Sequence, residues 1–383
     1  MTYFTARNQI ELLRNGEEYF PALESAIDGA HHEIYLQTYI YEADRTGLRI
    51  GEALKRAAQR GVGVYILLDG FGCKDLPKPY VQELQQAGAG VMFFRPKISP
   101  WTFKRSRLRR LHRKLVVIDG ALAFVGGINI IDDYNVPNHD PPRIDYAVSV
   151  RGELLPQIRS SARSLWRRIA WLHLRRVDAQ VLPGQPLLPA NGMKAAYVMR
   201  DNFLHRRDIE QAYLKAINNA KSEILIANAY FIPGKGFRRA LISAARRGVR
   251  VRLLLQGKKE YFLMFATHAF YSDFLSEGIQ IYEYRKSFMH SKVAVIDREW
   301  STVGSSNIDA ISLFLAREAN IVILDQPFAE ALNADIERSI TEGAHEILPD
   351  DWVRSHYLKR IVSWLVYHVV RLVTGLVVQP DKH

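Results

Sequence analysis

The sequence predicts an α/β protein of two homologous halves. Each half is an α/β/α layer with a mixed, mostly parallel sheet, and the two pack as a pseudo-dimer around one active site, with an amphipathic helix at the C-terminus. Three observations carry this prediction. A pattern of His-x-Lys, four residues, Asp, six residues and Gly-[Gly/Ser]-x-Asn occurs twice. It runs through His112, Lys114, Asp119, Gly126, Gly127 and Asn129, and again through His290, Lys292, Asp297, Gly304, Ser305 and Asn307. The run Ala53-Leu-Lys-Arg-Ala-Ala-Gln-Arg-Gly61-Val-Gly-Val is answered by Ala240-Leu-Ile-Ser-Ala-Ala-Arg-Arg-Gly248-Val-Arg-Val. Residues 353–378 place a narrow cationic stripe on an otherwise apolar helical surface.

Taken in order, residues 20–30 read as a helix and 33–40 as an apolar strand. Residues 48–59 have helical periodicity stopped by Gly61, and 62–68 form a β-branched and apolar run ending at Asp69-Gly70. Alternation of this kind gives parallel strands joined by crossover helices. Glu33-Ile34 is matched by Glu223-Ile224, and Gly88 by Gly278. The repeat contains a whole α/β layer, too long for a solenoid unit. The halves therefore span about 8–180 and 195–345, with the Pro- and Gly-containing stretch 182–192 as linker.

The halves differ beside the first histidine. Arg95 lies 17 positions before His112, whereas the equivalent Arg285 lies 5 before His290. The extra residues include Lys97, Trp101, Phe103, Lys104, Arg105, Arg107 and Arg109. They read either as a solvated basic loop or as a loop that meets anionic headgroups at the site entrance. The arginine-rich stretch 163–176, with Trp166 and Trp171, reads equally as a packing helix or a membrane contact.

Composition narrows the partners. The 383 residues, 48% hydrophobic and 24% charged, describe a globular chain with room for a large core. The single cysteine, Cys73, excludes an internal disulfide and fits a reducing compartment. A net charge of +12 calls for an anionic partner, nucleic acid or an anionic membrane surface. The N-terminus lacks the apolar run of a signal peptide, and no stretch has the uninterrupted apolar length of a confident membrane span.

Each copy of the doubled pattern reads as strand–turn–strand. Histidine and lysine, two residues apart, share one face of the first strand. The Asp-Gly pair marks the first turn, and glycines at the end of the second strand allow close backbone approach before the asparagine. One copy thus offers an imidazole, an ammonium and an amide, and two facing copies offer what displacement at a phosphodiester needs. One neutral imidazole attacks phosphorus to form a phosphohistidine, and the opposite imidazolium protonates the departing alkoxide. Lys114, Lys292, Asn129 and Asn307 would hold the non-bridging oxygens. Asp119 and Asp297 complete the candidate catalytic set, although their positions suit fixing the turns. No metal or other cofactor is required, and the histidines lack the clustered spacing of a zinc site. Asp145 and Glu318, one at the start of a later strand in each half, are the expected histidine-orienting acids. Asp132, Asp133 and Asp309 read as caps of following helices.

These motifs resemble the phospholipase D superfamily. With Leu12-Leu13-Arg14-Asn15-Gly16-Glu17, Leu67-Leu68-Asp69-Gly70-Phe71-Gly72, Asn228-Ala229-Tyr230-Phe231-Ile232-Pro233-Gly234 and Val303-Gly304-Ser305-Ser306-Asn307-Ile308-Asp309, the chain is similar to bacterial cardiolipin synthases of the B type. The resemblance spans about residues 8–375. It implies two phospholipase D-like halves and phosphatidyl transfer from one phospholipid, with phosphatidylglycerol as the expected donor, to the glycerol hydroxyl of phosphatidylglycerol. It also implies His112 as nucleophile and His290 as acid and base, an assignment that the pseudo-symmetry makes reversible at the level of sequence. The expected partners are phosphatidylglycerol, other phospholipids and an anionic membrane surface; nucleic acid is not. The expected location is the cytoplasmic side of the bacterial inner membrane, held peripherally. A hydrolase or nuclease of the same superfamily, using water as acceptor, shares the first step. A pseudoenzyme that only binds lipid is disfavoured by the intact His-Lys pairs.

A lipid substrate gives the C-terminal stretch a purpose. His356, Arg360, Ser363, Tyr367, Arg371 and Thr374 fall on one helical stripe, with Ile361, Trp364, Leu365, Val369, Leu372, Val373 and Leu376 on the rest. This suits a helix lying in the membrane interface, because Arg371 at the centre of a span would cost about 3 kcal/mol. The competing reading docks the helix on the protein core.

Overall fold

A computed structural model describes residues 2–95, 109–136, 139–173, 188–201, 204–257, 266–309 and 316–354. Most of the basic insertion (96–108), most of the linker and residues 355–383 of the C-terminal segment lie outside these residues.

The first half runs β1 (Thr5–Arg14), α1 (Asn15–Asp28), β2 (Glu33–Thr38), α2 (Arg45–Gln59), β3 (Gly63–Asp69), α3 (Lys78–Gln86) and β4 (Gly90–Phe94). It continues with β5 (Arg110–Leu111), β6 (Lys114–Ile118), β7 (Leu122–Gly126), β8 (Arg143–Ile144), β9 (Tyr146–Gly152) and α4 (Leu155–Leu172). The second half opens with β10 (Met193–Arg200), α5 (Asp208–Asn219), β11 (Glu223–Asn228), β12 (Phe231–Ile232), α6 (Lys235–Arg246), β13 (Arg250–Gln256), α7 (Tyr271–Leu275) and β14 (Gln280–Tyr284). Then come β15 (Phe288–Met289), β16 (Lys292–Ile296), β17 (Trp300–Gly304), β18 (Ile308–Asp309), β19 (Ala316–Leu324), α8 (Gln326–Gly343), β20 (Ala344–Glu346) and α9 (Pro349–Arg354).

The strands join into one mixed sheet in the order β4-β3-β2-β6-β7-β9-β1-β10-β19-β17-β16-β11-β13-β14-β20. Apart from β20, this order is a mirror about the antiparallel β1–β10 junction, so the repeat in the sequence becomes a pseudo-two-fold in space. Each half keeps its own outer core, and a third core is shared. In the shared core Leu115, Val117, Val125 and Val148 pack with Val293, Val295, Val303 and Ile321.

The sheet is mixed, but the expectation that it is mostly parallel is corrected. Along the order just given, parallel pairing is confined to β2–β3–β4 and β11–β13–β14, the products of the crossover helices. The strands that carry the doubled pattern are hairpins, β6–β7 and β16–β17, and hairpins pair antiparallel. Each hairpin turns on a four-residue β-turn, 118–121 and 296–299, whose two central residues have positive φ, Asp119 (52°) with Gly120 (61°) and Asp297 (53°) with Arg298 (52°), as a type I′ turn demands.

Of the two tryptophans in the arginine-rich helix, Trp166 is buried beneath Tyr65, their ring centroids 5.2 Å apart, and Trp171 is exposed. The first therefore belongs to the core. Among the described residues no helix is long and apolar enough to cross a membrane.

Candidate active site

Two short cross-connections build the site. The two residues before His112 form β5, which pairs in parallel with the start of β19. The two before His290 form β15, which pairs with β8. Each histidine strand is therefore laid beside the acid-bearing strand of the other half. The His112 backbone N–H donates to the Arg317 carbonyl (3.0 Å), and that of His290 donates to the Ile144 carbonyl (2.8 Å).

The side chains follow the backbone. His112 Nδ1 lies 2.9 Å from Glu318 Oε1, and His290 Nδ1 lies 2.7 Å from Asp145 Oδ2. The sequence offers one candidate orienting acid per half, and the structure exchanges them between the halves. Both carboxylates are buried. Each contacts Nδ1, which leaves Nε2 of each ring as the nitrogen available to a substrate.

The two carboxylates are seated differently. Gly127 makes room for Asp145: a Cβ there would lie 2.2 Å from Asp145 Oδ1. The equivalent Ser305 instead donates its hydroxyl to Glu318 Oε2 (2.5 Å). The shorter acid thus goes with glycine and the longer one with serine.

Lys114 and Lys292 are buried between the two halves. Lys114 Nζ donates to the His112 carbonyl (2.7 Å), and Lys292 Nζ donates to that of His290 and lies 3.6 Å from Asp145 Oδ2. Burial pulls the Lys114 ammonium down to about 7 and that of Lys292 to about 8, opposed by Glu318 and Asp145 and reinforced for Lys114 by the other lysine. Burial also lowers both imidazoles. For His290, with Lys292 adding to it, the value falls to about 3; for His112, Glu318 opposes the fall. Burial alone would raise the two carboxyls, but Lys292 and His290 hold Asp145 below its ordinary value, and His112 and Lys114 do the same for Glu318. Near neutral pH two carboxylates thus face the Lys292 ammonium and a Lys114 amine that is about half protonated, and burial favours the neutral form of both imidazoles. An arriving phosphodiester adds the negative charge that lets one imidazole take a proton.

Asn129 uses its carbonyl oxygen to accept from Ile40 N (3.0 Å), which frees its amide N–H₂ to donate. Asn307 is buried, and its side-chain oxygen accepts no hydrogen bond among the described residues. Rings flank both histidines: Tyr39 lies 4.8 Å from His112, and Tyr230 lies 6.3 Å from His290, centroid to centroid.

The structure does not bring Asp119 and Asp297 into this cluster. They sit at the far ends of β6 and β16, where Asp119 accepts from the backbone of His31, His32 and Glu33 at 2.8–2.9 Å. Asp297 accepts from Lys221, Ser222 and Glu223 in the same way. Each aspartate pins its hairpin turn to the entry of the neighbouring strand. Their place in the candidate catalytic set is corrected to a structural one. Asp132 and Asp133 likewise do not cap following helices: Asp132 accepts from Thr46 Oγ1 (2.9 Å), and Asp133 from Gly16 N in the first turn of α1.

One pair of functional residues escapes sequence reasoning. Asp69 at the end of β3 accepts from Leu111 N (2.7 Å), and Gln256 at the end of β13 accepts from Met289 N (3.0 Å). Each clamps the residue before a motif histidine. The repeat places them at equivalent positions, but one is acidic and the other an amide, so only their shared side-chain oxygen signals a common role.

The family described as "Cardiolipin synthase, PLD-like domain" matches residues 23–151 and 213–340, which contain both patterns and both acids. The chain belongs to this family. It is 37% identical to cardiolipin synthase B of Shigella flexneri over 95% of this chain and 92% of that protein. It is also 37% identical to cardiolipin synthase B of Salmonella typhi, over 97% and 89%. Among solved structures, phosphatidylserine synthase of Haemophilus influenzae Rd KW20 shares the fold with a TM-score of 0.69 at 15% identity, covering 98% of this chain and 96% of that one.

Proposed function

We propose that the protein is a cardiolipin synthase, a phosphatidyltransferase working through a phosphohistidine. The observation that carries the mechanism is the pair of histidine–carboxylate contacts exchanged between the halves, with two buried lysines between them. Full-length similarity to cardiolipin synthases supports the choice of lipid and product.

In the first step His112 Nε2 attacks the phosphorus of a donor lipid, with phosphatidylglycerol as the donor. The bond to the headgroup oxygen breaks, and His290 supplies the proton that releases glycerol. Lys114, Lys292, Asn129 and Asn307 hold the non-bridging oxygens, while Glu318 and Asp145 keep both Nδ1 atoms protonated, so that His112 Nε2 presents its lone pair and His290, which takes a proton on Nε2 when the phosphodiester binds, donates it to the leaving oxygen. In the second step the glycerol hydroxyl of another phosphatidylglycerol gives its proton to His290 and attacks phosphorus, releasing His112.

The basic charge supports peripheral association with an anionic membrane, on the cytoplasmic side of the inner membrane, through the C-terminal stripe. Removal of residues 355–383 is expected to release the protein from anionic vesicles at moderate salt; full pelleting would place the anchor elsewhere. The function is tested by incubating purified protein with vesicles of labelled phosphatidylglycerol. Cardiolipin and free glycerol are the expected products, and phosphatidic acid alone would sink the synthase reading in favour of the hydrolase.

A further inference from the structure

The catalytic core is nearly symmetric, and an arginine flanks it on each side from a different position in the fold. Two positions before Asp145, on the same extended segment and so on the same side, stands Arg143; two before the equivalent Glu318 stands Ala316. Arg143 pairs with Phe288, two positions before His290. Its guanidinium carbon lies 5.7 Å from the Phe288 ring centroid, and that ring lies 6.0 Å from the imidazole of His290 at an interplanar angle of 23°. Arg143 thus lies against the ring that flanks His290; on the other side the buried Arg200 donates Nη2 to the Ala316 carbonyl (2.8 Å) beside Glu318, so each histidine has an arginine on its flank, reached from a different strand.

The hydrogen bonding of Arg143 is incomplete. Nη2 donates to the Asn135 carbonyl (3.1 Å), but Nη1 is buried without a partner among the described residues. Three carboxylates act on it electrostatically, but none accepts from Nη1. Asp44 accepts from Gly47 N, Asp132 N and Asn135 Nδ2; Asp133 accepts from Gly16 N; Asp145 accepts from His290 and Tyr146 N. A buried, unsatisfied guanidinium N–H is costly unless a ligand completes it. Arginine is the side chain whose planar fork best fits phosphate. Arg143 also acts electrostatically on Lys292, which places its charge within reach of the reacting centre.

We propose that Arg143 is the acceptor subsite: its free Nη1 takes the phosphate of the incoming phospholipid beside His290, which favours a lipid hydroxyl over water as the second nucleophile. The inference rests on the cardiolipin synthase reading, whose product carries two phosphates joined through one glycerol. One phosphate is bonded to the nucleophilic histidine, and the other needs a cation on the acid/base side. The hydroxyl oxygen forms its bond to phosphorus as the P–N bond to His112 breaks, and the hydroxyl proton passes to His290. Hydrolysis follows the same path with water, which has no phosphate for Arg143 to hold.

The test is the ratio of cardiolipin to phosphatidic acid made by the full chain on phosphatidylglycerol vesicles. In Arg143→Gln the ratio is expected to fall at least about tenfold, the worth of one charge-assisted hydrogen bond, whatever happens to the total rate. Arg143→Lys, which keeps the charge but not the fork, is expected to fall between this variant and wild type, and it serves alone if the glutamine variant does not fold. An unchanged ratio in the variant measured overturns the proposal. If wild type makes phosphatidic acid alone, the synthase reading itself fails, and that result is visible before any variant is made.

Discussion

Glu318→Gln tests the exchanged histidine–carboxylate contact most sharply. Glu318 is fully buried, with Oε1 on His112 and Oε2 on Ser305. A glutamine fits the same volume but must place its carbonyl toward one partner and its N–H₂ toward the other. The Ser305 hydroxyl donates, so the carbonyl turns to Ser305 and the amide N–H turns to His112 Nδ1. That forces the tautomer with the proton on Nε2, the nitrogen that must attack. The substitution also removes the negative charge that supports an imidazolium. Loss of a group that orients a functional histidine typically costs about 10–100-fold, and an acid-to-amide change behind a catalytic histidine about 10⁴-fold. We expect kcat to fall by about 10²–10⁴, or about 3–5 kcal/mol of barrier. Glu318→Asp, which keeps the charge but shortens the reach, should fall between the glutamine variant and wild type. The assay is initial-rate cardiolipin synthesis with a thermal melt as folding control. A folded glutamine variant with kcat within threefold of wild type would refute the orienting role.

The lysines predict a pH dependence. Burial holds Lys114 near 7 and Lys292 near 8, and only the ammonium form grips a phosphate, so kcat/KM should fall as pH rises through about 7–8. A plateau extending past about pH 9.5 would contradict this. Asp119→Ala removes the acceptor of three backbone N–H groups and should cost about 2–3 kcal/mol of stability in denaturant unfolding, with kcat of the folded protein within about threefold of wild type. A hundredfold loss of kcat without loss of stability would return Asp119 to the catalytic set. Gly127→Ala drives a methyl into the Asp145 carboxylate and should lower activity at least about a hundredfold by displacing the partner of His290. Near-normal turnover would show that Asp145 can move without consequence.

The doubled pattern was legible because its chemistry and spacing repeat together, and the two-half α/β organisation followed from the matched helix–strand runs. Asp145 and Glu318 were legible as equivalent acids. Which histidine each serves was not, because that depends on β5 and β15, two-residue strands whose partners lie in the opposite half. The sheet is less parallel than its crossover helices imply, because the Asp119-Gly120 and Asp297-Arg298 turns fold the motif strands into antiparallel hairpins. Arg143 gave no sequence signal, since its proposed role rests on a missing hydrogen-bond partner and on its stacking against Phe288. Asp69 and Gln256 were hidden by their different chemistry.

The whole mechanism turns on a covalent phosphatidyl-histidine, and rapid quenching measures it directly. Protein mixed with phosphatidylglycerol labelled in its phosphate is quenched under alkaline conditions, where phosphohistidine survives, and digested for mass spectrometry. Label is expected on the peptide carrying His112, accumulating in His290→Ala and absent in His112→Ala. Label on His290 instead would exchange the two roles. Turnover with no label on either histidine at any quench time would contradict the phosphohistidine mechanism.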